Sequence, residues 1–406
     1  MTAEATPEPV EYPATRDARC PFDPPAVYGE LRERAGLTRV RVWDGSTPWL
    51  VTRYDDALSA LRDPRLSMDA RLPGFPGISA ASVTRLNRVS PFFFREESVY
   101  LRQRGMLIKE FVPKKLEALR PSVQRIVDDT LDALLAGPRP ADLLEGFALP
   151  VATLVMCELL GVDRRDRLRL HELSRIVASR KAAPDQVSRA LDGLDEYFLQ
   201  LTDAQVREPG DDLVGRALTP RVRSGELSRE DAAAMAQVLF FSGHGTSTAM
   251  IVTGALALLT HHEQLAELRA ARDPAVLAAT VEELLRYVTV AHNGRQRVAA
   301  EDTVIGRTPV RAGDGVLIQL DAANRDPSVF AEPDRFDIHR APYRHLALGH
   351  GIHHCMGQAL ARIELQVALG TLFARVPTLR LAVRSEDVPF KEDENALRLD
   401  SLPVTW

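Results

Sequence analysis

The stretch from Leu346 to Arg362 carries the residues of this chain that are best suited to chemistry, and it reads LALGHGIHHCMGQALAR. Gly349 and Gly351 predict a tight turn before Cys355, and the residues from Met356 onward have the pattern of a helix. In that geometry backbone N–H groups and the positive helix N-terminus point at the sulfur, which favours the thiolate over the thiol. We therefore predict that Cys355 acts as a thiolate ligand.

The other two cysteines predict no chemistry. Cys157 lies on an apolar helix face, where a cysteine behaves as a small buried hydrophobe. Cys20 lies in an irregular segment and is expected to be exposed. Zinc is the alternative for the third cysteine, because three histidines lie close to it: His350, His353 and His354. Two consecutive histidines do not easily join one cysteine in a tetrahedral shell, so zinc is the lesser alternative.

The loop resembles the cysteine signature of the cytochrome P450 family, Phe-Gly-x-Gly-x-His-x-Cys-x-Gly. It matches at Gly349, Gly351, His353, Cys355 and Gly357. It departs at Leu348, where the family usually has Phe, which leaves the ligand intact but changes the packing near the sulfur. The resemblance implies haem b bound through Cys355, with Gly357 letting the flat macrocycle approach the backbone.

The resemblance also implies which residues hold the haem propionates. Arg104, Arg297 and His353 match the family's propionate-binding positions, and arginine forks suit carboxylates. Tyr100 stands where the family has His, and its phenol can still donate one hydrogen bond. Further along, Glu283 and Arg286, together with Arg335, match a network that holds the fold.

A second constellation is Ser242-Gly-His-Gly-Thr-Ser247 in the middle of a long apolar run. Two glycines inside a helix cost about 1 kcal/mol each relative to alanine, so they need a reason. Close packing against another helix is one reason. The family supplies another, a motif Ala/Gly-Gly-x-acid-Thr over the site where dioxygen binds. Gly243 and Thr246 match this motif, and Gly245 occupies the position of the acid, so all three are candidate catalytic positions.

The glycine at position 245 changes the chemistry that the resemblance implies. In these enzymes the acid helps to relay protons to dioxygen before its O–O bond breaks. His244 is roughly 100° round the helix from position 245 and is not an obvious replacement. We expect either protonation assisted by the substrate or an atypical oxidation, such as coupling, ring formation or desaturation.

The expected substrate is an apolar small molecule, plausibly of natural-product biosynthesis. Candidate substrate contacts from matched segments are Phe94, Phe241, Ser242, Val290 and Asn395. Electrons must come from a separate ferredoxin or flavodoxin, and a local basic cluster is suited to meet it. The cluster consists of Arg102, Lys109, Lys114 and Lys115. Two alternatives remain: a peroxide-using or non-oxygenating haem-thiolate enzyme, and a non-catalytic haem-binding sensor.

The elements that must position these residues are mostly helices. Ser228 before Asp231 predicts a helix start, and a helix that runs from there to Thr260 is roughly 50 Å long. Further helices are predicted over 101–111, 114–135, 143–160, 165–179, 185–206 and 276–288, and one from just after Cys355 to 376. Strands are predicted at 40–43, 49–52, 297–298, 304–305 and 315–318. We predict a mainly α fold with minor β, the triangular helical P450 domain with small sheets over 21–406, after an irregular segment over 1–20.

Composition fits one large folded domain, which we expect to be a monomer. The chain has 406 residues, of which 45% are hydrophobic and 26% charged. A chain of this size can bury a large core without disulfide bonds or structural metal ions. A net charge of −5 disfavours a general affinity for nucleic acid or anionic membranes. The run from Ala232 to Thr260 is apolar but polar at its middle, which favours a buried helix over a membrane span. Three widely spaced cysteines and no signal sequence predict a cytoplasmic protein.

Overall fold

The structure is a computed structural model, and it describes residues 9–17, 22–34, 36–88, 96–340, 344–391, 393–394 and 396–406. Helices dominate these residues, and the mainly α class with minor β is confirmed. The helices are α1 Ala26–Glu33, α2 Tyr54–Arg62, α3 Ala80–Arg88, α4 Glu97–Leu107, α5 Pro113–Glu117, α6 Arg120–Leu135, α7 Leu149–Leu160, α8 Arg167–Ala178, α9 Pro184–Arg207, α10 Thr219–Arg223, α11 Arg229–Thr260, α12 His262–Ala270, α13 Pro274–Val288, α14 Leu320–Ala323 and α15 Gln358–Arg375.

The strands are short and gather in small sheets. They are β1 Val10–Glu11, β2 Thr38–Arg41, β3 Trp49–Val51, β4 Leu66–Ser67, β5 Ala141–Asp142, β6 Arg295–Ala299, β7 Thr303–Ile305, β8 Thr308–Val310, β9 Gly315–Ile318, β10 Arg380–Leu381, β11 Phe390–Lys391, β12 Arg398–Leu399 and β13 Pro403–Thr405. The largest sheet has the order β1-β2-β3-β9-β6-β4, and β10-β13-β5, β11-β12 and β7-β8 form the others.

Strand β6 matters most for the site, because it carries Arg297. It pairs antiparallel with β9, with Arg297 opposite Val316, and β9 in turn pairs parallel with β3. Side chains alternate along a strand, so Arg295 and Arg297 project from the same face of β6. At the far edge, Val10 and Glu11 pair with β2, although the sequence predicts an irregular segment over 1–20. The division into segments 1–20 and 21–406 stays a prediction.

Helix α11 is the longest element among the described residues. Its start is the predicted one, because the Ser228 hydroxyl accepts a hydrogen bond from the Asp231 backbone N–H at 3.0 Å. Its 32 residues give a length of about 48 Å. Helices α7, α9 and α15 pack against it, so it is buried over most of its surface. Over the described ranges, no helix combines the length and apolar character needed to cross a membrane.

Helix α13 carries a buried ion network that differs from the predicted one. Arg286 donates two hydrogen bonds of 2.8 Å to Glu283, as predicted. The second cation on Glu283 is Arg340, with its Nε 3.1 Å from the carboxylate. The prediction of Arg335 for this role is wrong: its side chain is exposed and pairs with Glu332, and only its backbone carbonyl enters the network.

Candidate active site

The cysteine loop is held in the shape that its glycines predict. Gly349 and Gly351 have φ of +72° and +70°, a region that favours glycine. A Cβ on Gly351 would lie 2.5 Å from the carbonyl oxygen of Leu61, so the loop also packs too closely against α2 for a side chain there. The Cys355 backbone N–H donates to the Leu348 carbonyl at 2.9 Å, and α15 begins three residues later. The loop therefore fixes the sulfur at the entrance to α15.

Opposing influences act on the Cys355 thiol. Burial raises its pKa, while a hydrogen bond from the Gly357 backbone N–H and the positive charges of Arg295 and Arg104 lower it. The lowering groups all favour the thiolate, which is the form that binds a metal. Cys157 has a pKa raised to about 12 by burial in the core, as expected for an inert thiol.

Tyr100, Arg104 and His353 lie together beside this loop. The Arg104 guanidinium donates to the Tyr100 hydroxyl at 3.0 Å and to the His354 carbonyl at 2.9 Å. Tyr100 is fully buried, and its ring stacks on His353 with centroids 4.4 Å apart. The Tyr100 hydroxyl donates its one proton to the Ile352 carbonyl of the cysteine loop at 3.1 Å. It therefore cannot donate the same proton to a haem propionate.

Arg297 joins this group from strand β6. It is 2% exposed, and burial, followed by the nearby Arg295 charge, lowers its pKa to about 9. The pKa of Arg295 is also lowered by burial, although this residue is accessible to solvent. The lowered pKa and the accessible side chain agree if Arg295 faces a cavity inside the protein. Arg295 was missed from the sequence, although its spacing of two from Arg297 on a strand was a usable signal.

These residues fit haem b. A buried cluster of cations needs anions, and the described chain offers Arg297 only the carbonyl of Gln296 as a hydrogen-bond acceptor. His353 is half-buried, but its Nδ1 atom is buried and has no hydrogen-bond partner among the described residues. A cavity of about 270 Å³ borders both Arg297 and His353. A flat group with two carboxylate arms and a central metal would satisfy these cations while its metal meets Cys355.

The histidines considered for zinc are engaged elsewhere. His350 contacts the Nε of Arg62 at 2.8 Å, and the Nδ1 of His354 lies 3.2 Å from Gln358. His353 stacks on Tyr100. Within the described ranges, no three or more His, Cys, Asp or Glu side chains are arranged to hold a metal ion.

Gly243 and Gly245 of α11 differ in their surroundings. A Cβ on Gly243 would lie 2.3 Å from the sulfur of Met156 on α7, so this glycine permits close helix packing. A Cβ on Gly245 would have no heavy atom within 4 Å. Position 245 therefore borders open space and has room for a side chain. The packing explanation accounts for Gly243, while nothing in the packing requires glycine at 245.

The polar side chains around these glycines point in different directions. Thr246 is exposed, and its hydroxyl donates to the Ser242 carbonyl at 2.6 Å. His244 is buried, with Nδ1 2.9 Å from the Phe240 carbonyl and its ring stacked on Phe240. Burial lowers the pKa of His244 to about 3, so its imidazole is neutral, and not a cationic acid, near neutral pH. Phe240 itself is fully buried in the core.

A buried acid that sequence reasoning missed lies behind this segment. The Ser247 hydroxyl donates to Oε2 of Glu364 on α15 at 2.7 Å. Glu364 is 2% exposed, and its Oε1 has no hydrogen-bond partner. Burial raises the pKa of this carboxyl to about 7, against a smaller opposing effect of the Ser247 hydrogen bond. An acid at an otherwise apolar helix position was the only sequence signal for it.

The candidate substrate contacts are partly placed. Phe241 and Ser242 are half-buried and exposed, respectively, on α11. The Val290 carbonyl accepts a hydrogen bond from the Leu397 N–H at 2.8 Å. Phe94 and Asn395 lie outside the described residues. All five contacts stay predictions.

Comparison with known proteins agrees with this site. A family model described as Cytochrome P450 matches residues 211–399. Cytochrome P450 GfsF from Streptomyces halstedii is 44% identical over 399 residues, covering 98% of this chain and 96% of that protein. Pentalenic acid synthase from Streptomyces avermitilis is 42% identical over 399 residues, covering 98% of each. The crystal structure of mycinamicin VIII C21 methyl hydroxylase from Micromonospora griseorubida has a TM-score of 0.92 at 38% identity, covering 98% of this chain and 100% of that one.

The relatives and the site share one chemistry, that of the haem-thiolate oxidoreductases. With such identities over nearly the full length of both chains, this chain belongs to the cytochrome P450 family, as its cysteine loop predicts. The family uses haem b, so the predicted cofactor and the assignment as a monooxygenase-type oxidoreductase are confirmed. The roles of individual residues rest on the geometry described above.

Proposed function

We propose that this protein oxidises an apolar small molecule with dioxygen and two electrons supplied by a separate protein. The observation that carries the proposal is the Cys355 loop, with its sulfur at the start of α15 and the cations Arg104 and Arg297 beside it. Cys355 would ligate the haem iron, and both arginines would hold its carboxylates. When bound, haem supplies the activation of dioxygen for insertion or removal of hydrogen atoms.

Natural-product biosynthesis is the proposed setting. Pentalenic acid synthase and mycinamicin VIII C21 methyl hydroxylase are relatives whose names describe such reactions. Phe241 and Val290 would contribute apolar surface to the substrate pocket, and the exposed Ser242 a polar contact. We also propose a cytoplasmic location, because three cysteines far apart in sequence are typical of a reducing compartment.

The proposed electron donor is an acidic ferredoxin or flavodoxin. Lys109 and Lys114 are exposed at the C-terminal end of α4 and on α5. Large apolar side chains are exposed nearby, with Ile108 41% and Val112 40% exposed. A surface that mixes cations with exposed apolar groups suits a transient acidic partner.

The glycine at position 245 is the reason to propose a reaction other than ordinary hydroxylation. The acid of the family motif is absent there, so protons for dioxygen come from the substrate or from another side chain. Thr246 keeps its hydroxyl at the open side of α11, bonded to the Ser242 carbonyl. Slower protonation favours loss of reduced oxygen as peroxide, or products other than simple alcohols.

The test reconstitutes the enzyme with haem, an acidic ferredoxin and its reductase. Candidate substrates come from a screen of apolar natural products for a change in the haem spectrum. The expected result is dioxygen consumption tied to an oxidised product, and Gly245→Asp should change the peroxide fraction or the product distribution several-fold. If no ligand that changes the haem spectrum supports dioxygen consumption or product formation, the result would favour a haem-binding sensor. Identical coupling and product in Gly245→Asp and the parent would refute the role of position 245.

A further inference from the structure

Arg295 is an interior cation for which the described chain provides no anion. It lies on β6 two residues before Arg297, so both side chains project from one face of the strand. Its side chain is accessible, yet burial lowers its pKa, as expected for a group on the wall of an internal cavity. Among the described residues, its guanidinium has no hydrogen-bond acceptor and no carboxylate close enough to influence it. An unpaired interior charge is unfavourable, so an anion is expected there.

The charge of Arg295 reaches the haem site. Burial raises the pKa of the Cys355 thiol, and of the arginine charges that oppose this effect, that of Arg295 is the strongest. Burial also lowers the pKa of Arg297 to about 9, and the charge of Arg295 is the next largest cause. The head group of Arg295 therefore lies within electrostatic reach of both the cysteine loop and the second arginine of β6.

The charges of bound haem do not require this third arginine. In the ferric state the iron, the porphyrin ring and the cysteine thiolate sum to zero charge, which leaves the two propionates. These carboxylates are matched by the two arginines proposed above to hold them, Arg104 and Arg297. His353 adds no charge, because burial lowers its pKa to about 3. Arg295 is therefore the cation that remains unpaired when haem is bound.

The neighbouring acidic positions of the protein are engaged or lack an acid. Asn293, two residues before Arg295, donates to the Glu394 carbonyl at 2.9 Å, so the backbone at Glu394 lies beside this end of β6. The Glu394 carboxylate accepts a hydrogen bond of 2.6 Å from Arg398, which neutralises it. On α11, the position where the family motif has an acid is Gly245, which borders open space. No described side chain supplies the anion, so it must arrive with a ligand.

We propose that Arg295 binds a carboxylate of the substrate, which makes the substrate an apolar acid, an apolar body that carries one carboxylate. This inference rests on the proposed function and deepens it by naming the substrate class. The planar guanidinium fork of arginine matches a carboxylate with two parallel hydrogen bonds. A phosphate monoester carries close to two negative charges near neutral pH, which a single arginine does not balance. A neutral substrate would leave Arg295 unpaired.

Arg85 on α3 is a second interior arginine and provides the matched control. Burial lowers its pKa to about 10, and among the described residues no carboxylate influences it. Its guanidinium, however, donates to the Val177 carbonyl at 3.1 Å, in the last turn of α8. A cation at a helix C-terminus is favoured by the negative end of the helix dipole. The fold therefore explains Arg85 but not Arg295.

The test compares the binding of acids and of their esters to the haem-loaded protein. The probes are dodecanoic acid, abietic acid and naphthylacetic acid, each paired with its methyl ester and titrated near neutral pH while the haem spectrum is recorded. At least one acid should bind about tenfold more tightly than its ester, because only the acid pairs with Arg295. In Arg295→Gln the preference should fall to about twofold or less, with little change in the affinity for the ester. Equal affinity for acid and ester in every pair, or no binding of any acid, would overturn the proposal.

Two further variants identify the group that causes the preference. Arg85→Gln should keep the preference for the acid. Its loss in Arg85→Gln, with retention in Arg295→Gln, would place the carboxylate at Arg85 and refute the proposal. Arg295→Lys should keep part of the preference, because lysine keeps the charge but not the fork.

A separate measurement tests whether Arg295 holds a haem propionate instead. The rate at which haem passes from the protein to excess apomyoglobin reports how firmly the propionates are held. This transfer should be about tenfold faster in Arg297→Gln and unchanged in Arg295→Gln, because only the former loses a propionate contact. Equally fast transfer from both variants would assign Arg295 to haem and contradict a role in substrate binding.

The outcomes separate this inference from the proposed function. Binding of the probes needs neither electrons nor dioxygen. A protein that prefers acids through Arg295 but forms no product would therefore refute the oxidation and leave the acid site standing. A protein that oxidises neutral molecules and binds acids no better than their esters would refute the acid site and leave the oxidation intact.

Discussion

The two cysteines described by the structure differ in what surrounds the sulfur, and this difference is testable at the scale of one atom. Burial raises the pKa of both thiols, to about 12 for Cys157, and Cys355 differs in having a hydrogen bond from the Gly357 backbone N–H, which favours its thiolate. Cys355→Ser should therefore abolish the thiolate-dependent absorption band of the reduced carbon monoxide complex. The matched variant Cys157→Ser should keep the band while lowering the free energy of unfolding by about 1–3 kcal/mol. If Cys157→Ser loses the band and Cys355→Ser keeps it, Cys157 and not Cys355 would be the thiolate ligand.

Sequence reasoning predicted the turn of the cysteine loop but not all of the residues around it. The glycine spacing predicted the turn before Cys355, because a positive φ is a local property of the backbone. Glu364 lies 117 residues from its hydrogen-bond partner Ser247, so no local sequence pattern predicts that they are in contact. Tyr100 illustrates the same limit: its type permitted a bond to a propionate, but the fold directs its proton to the Ile352 carbonyl.

At the scale of elements, we predict opposite effects of the same substitution at Gly243 and Gly245 of α11. Gly243→Ala should destabilise the protein by about 1–3 kcal/mol, because its Cβ would meet Met156 of α7. Gly245→Ala should stabilise it by up to about 1 kcal/mol, because its Cβ enters open space and alanine favours the helix. Urea unfolding of the haem-loaded proteins measures both. The cost at 243 should shrink when Met156→Ala is added, and an unchanged cost would contradict the packing explanation.

Element boundaries were predictable where a local rule sets them. Ser228 capped α11 as predicted, and β9 runs over the predicted residues 315–318. The ion network around Glu283 was predictable only in part, because Arg286 lies on the same helix as Glu283, whereas the second cation comes from a loop. The sequence analysis predicted Arg335 there, and the path of the chain after Pro333 brings Arg340 to Glu283 instead.

On the scale of the whole molecule, the net charge works against the proposed electron donor. The chain carries −5, which repels an acidic ferredoxin at long range. Docking must therefore depend on a local concentration of positive charge. Within the basic cluster, Lys115 is already paired with Glu110 at 2.6 Å, and Arg102 donates to the Glu226 carbonyl at 3.5 Å. This leaves Lys109 and Lys114 as the cations best placed to meet a partner.

Charge reversal at this cluster tests the docking surface. Lys109→Glu together with Lys114→Glu should slow reduction by an acidic ferredoxin about tenfold at low salt, because local attraction becomes repulsion. The difference from the parent should shrink as ionic strength rises, since exposed charges are screened beyond about 10 Å at 0.1 M salt. Lys181→Glu is the control: Lys181 is equally exposed but lies between α8 and α9, outside the segment of α4 and α5 that carries the basic cluster. Reduction by dithionite should be the same in all variants, which separates docking from haem loading. Equal slowing by Lys181→Glu would mean that net charge, and not this surface, governs the encounter.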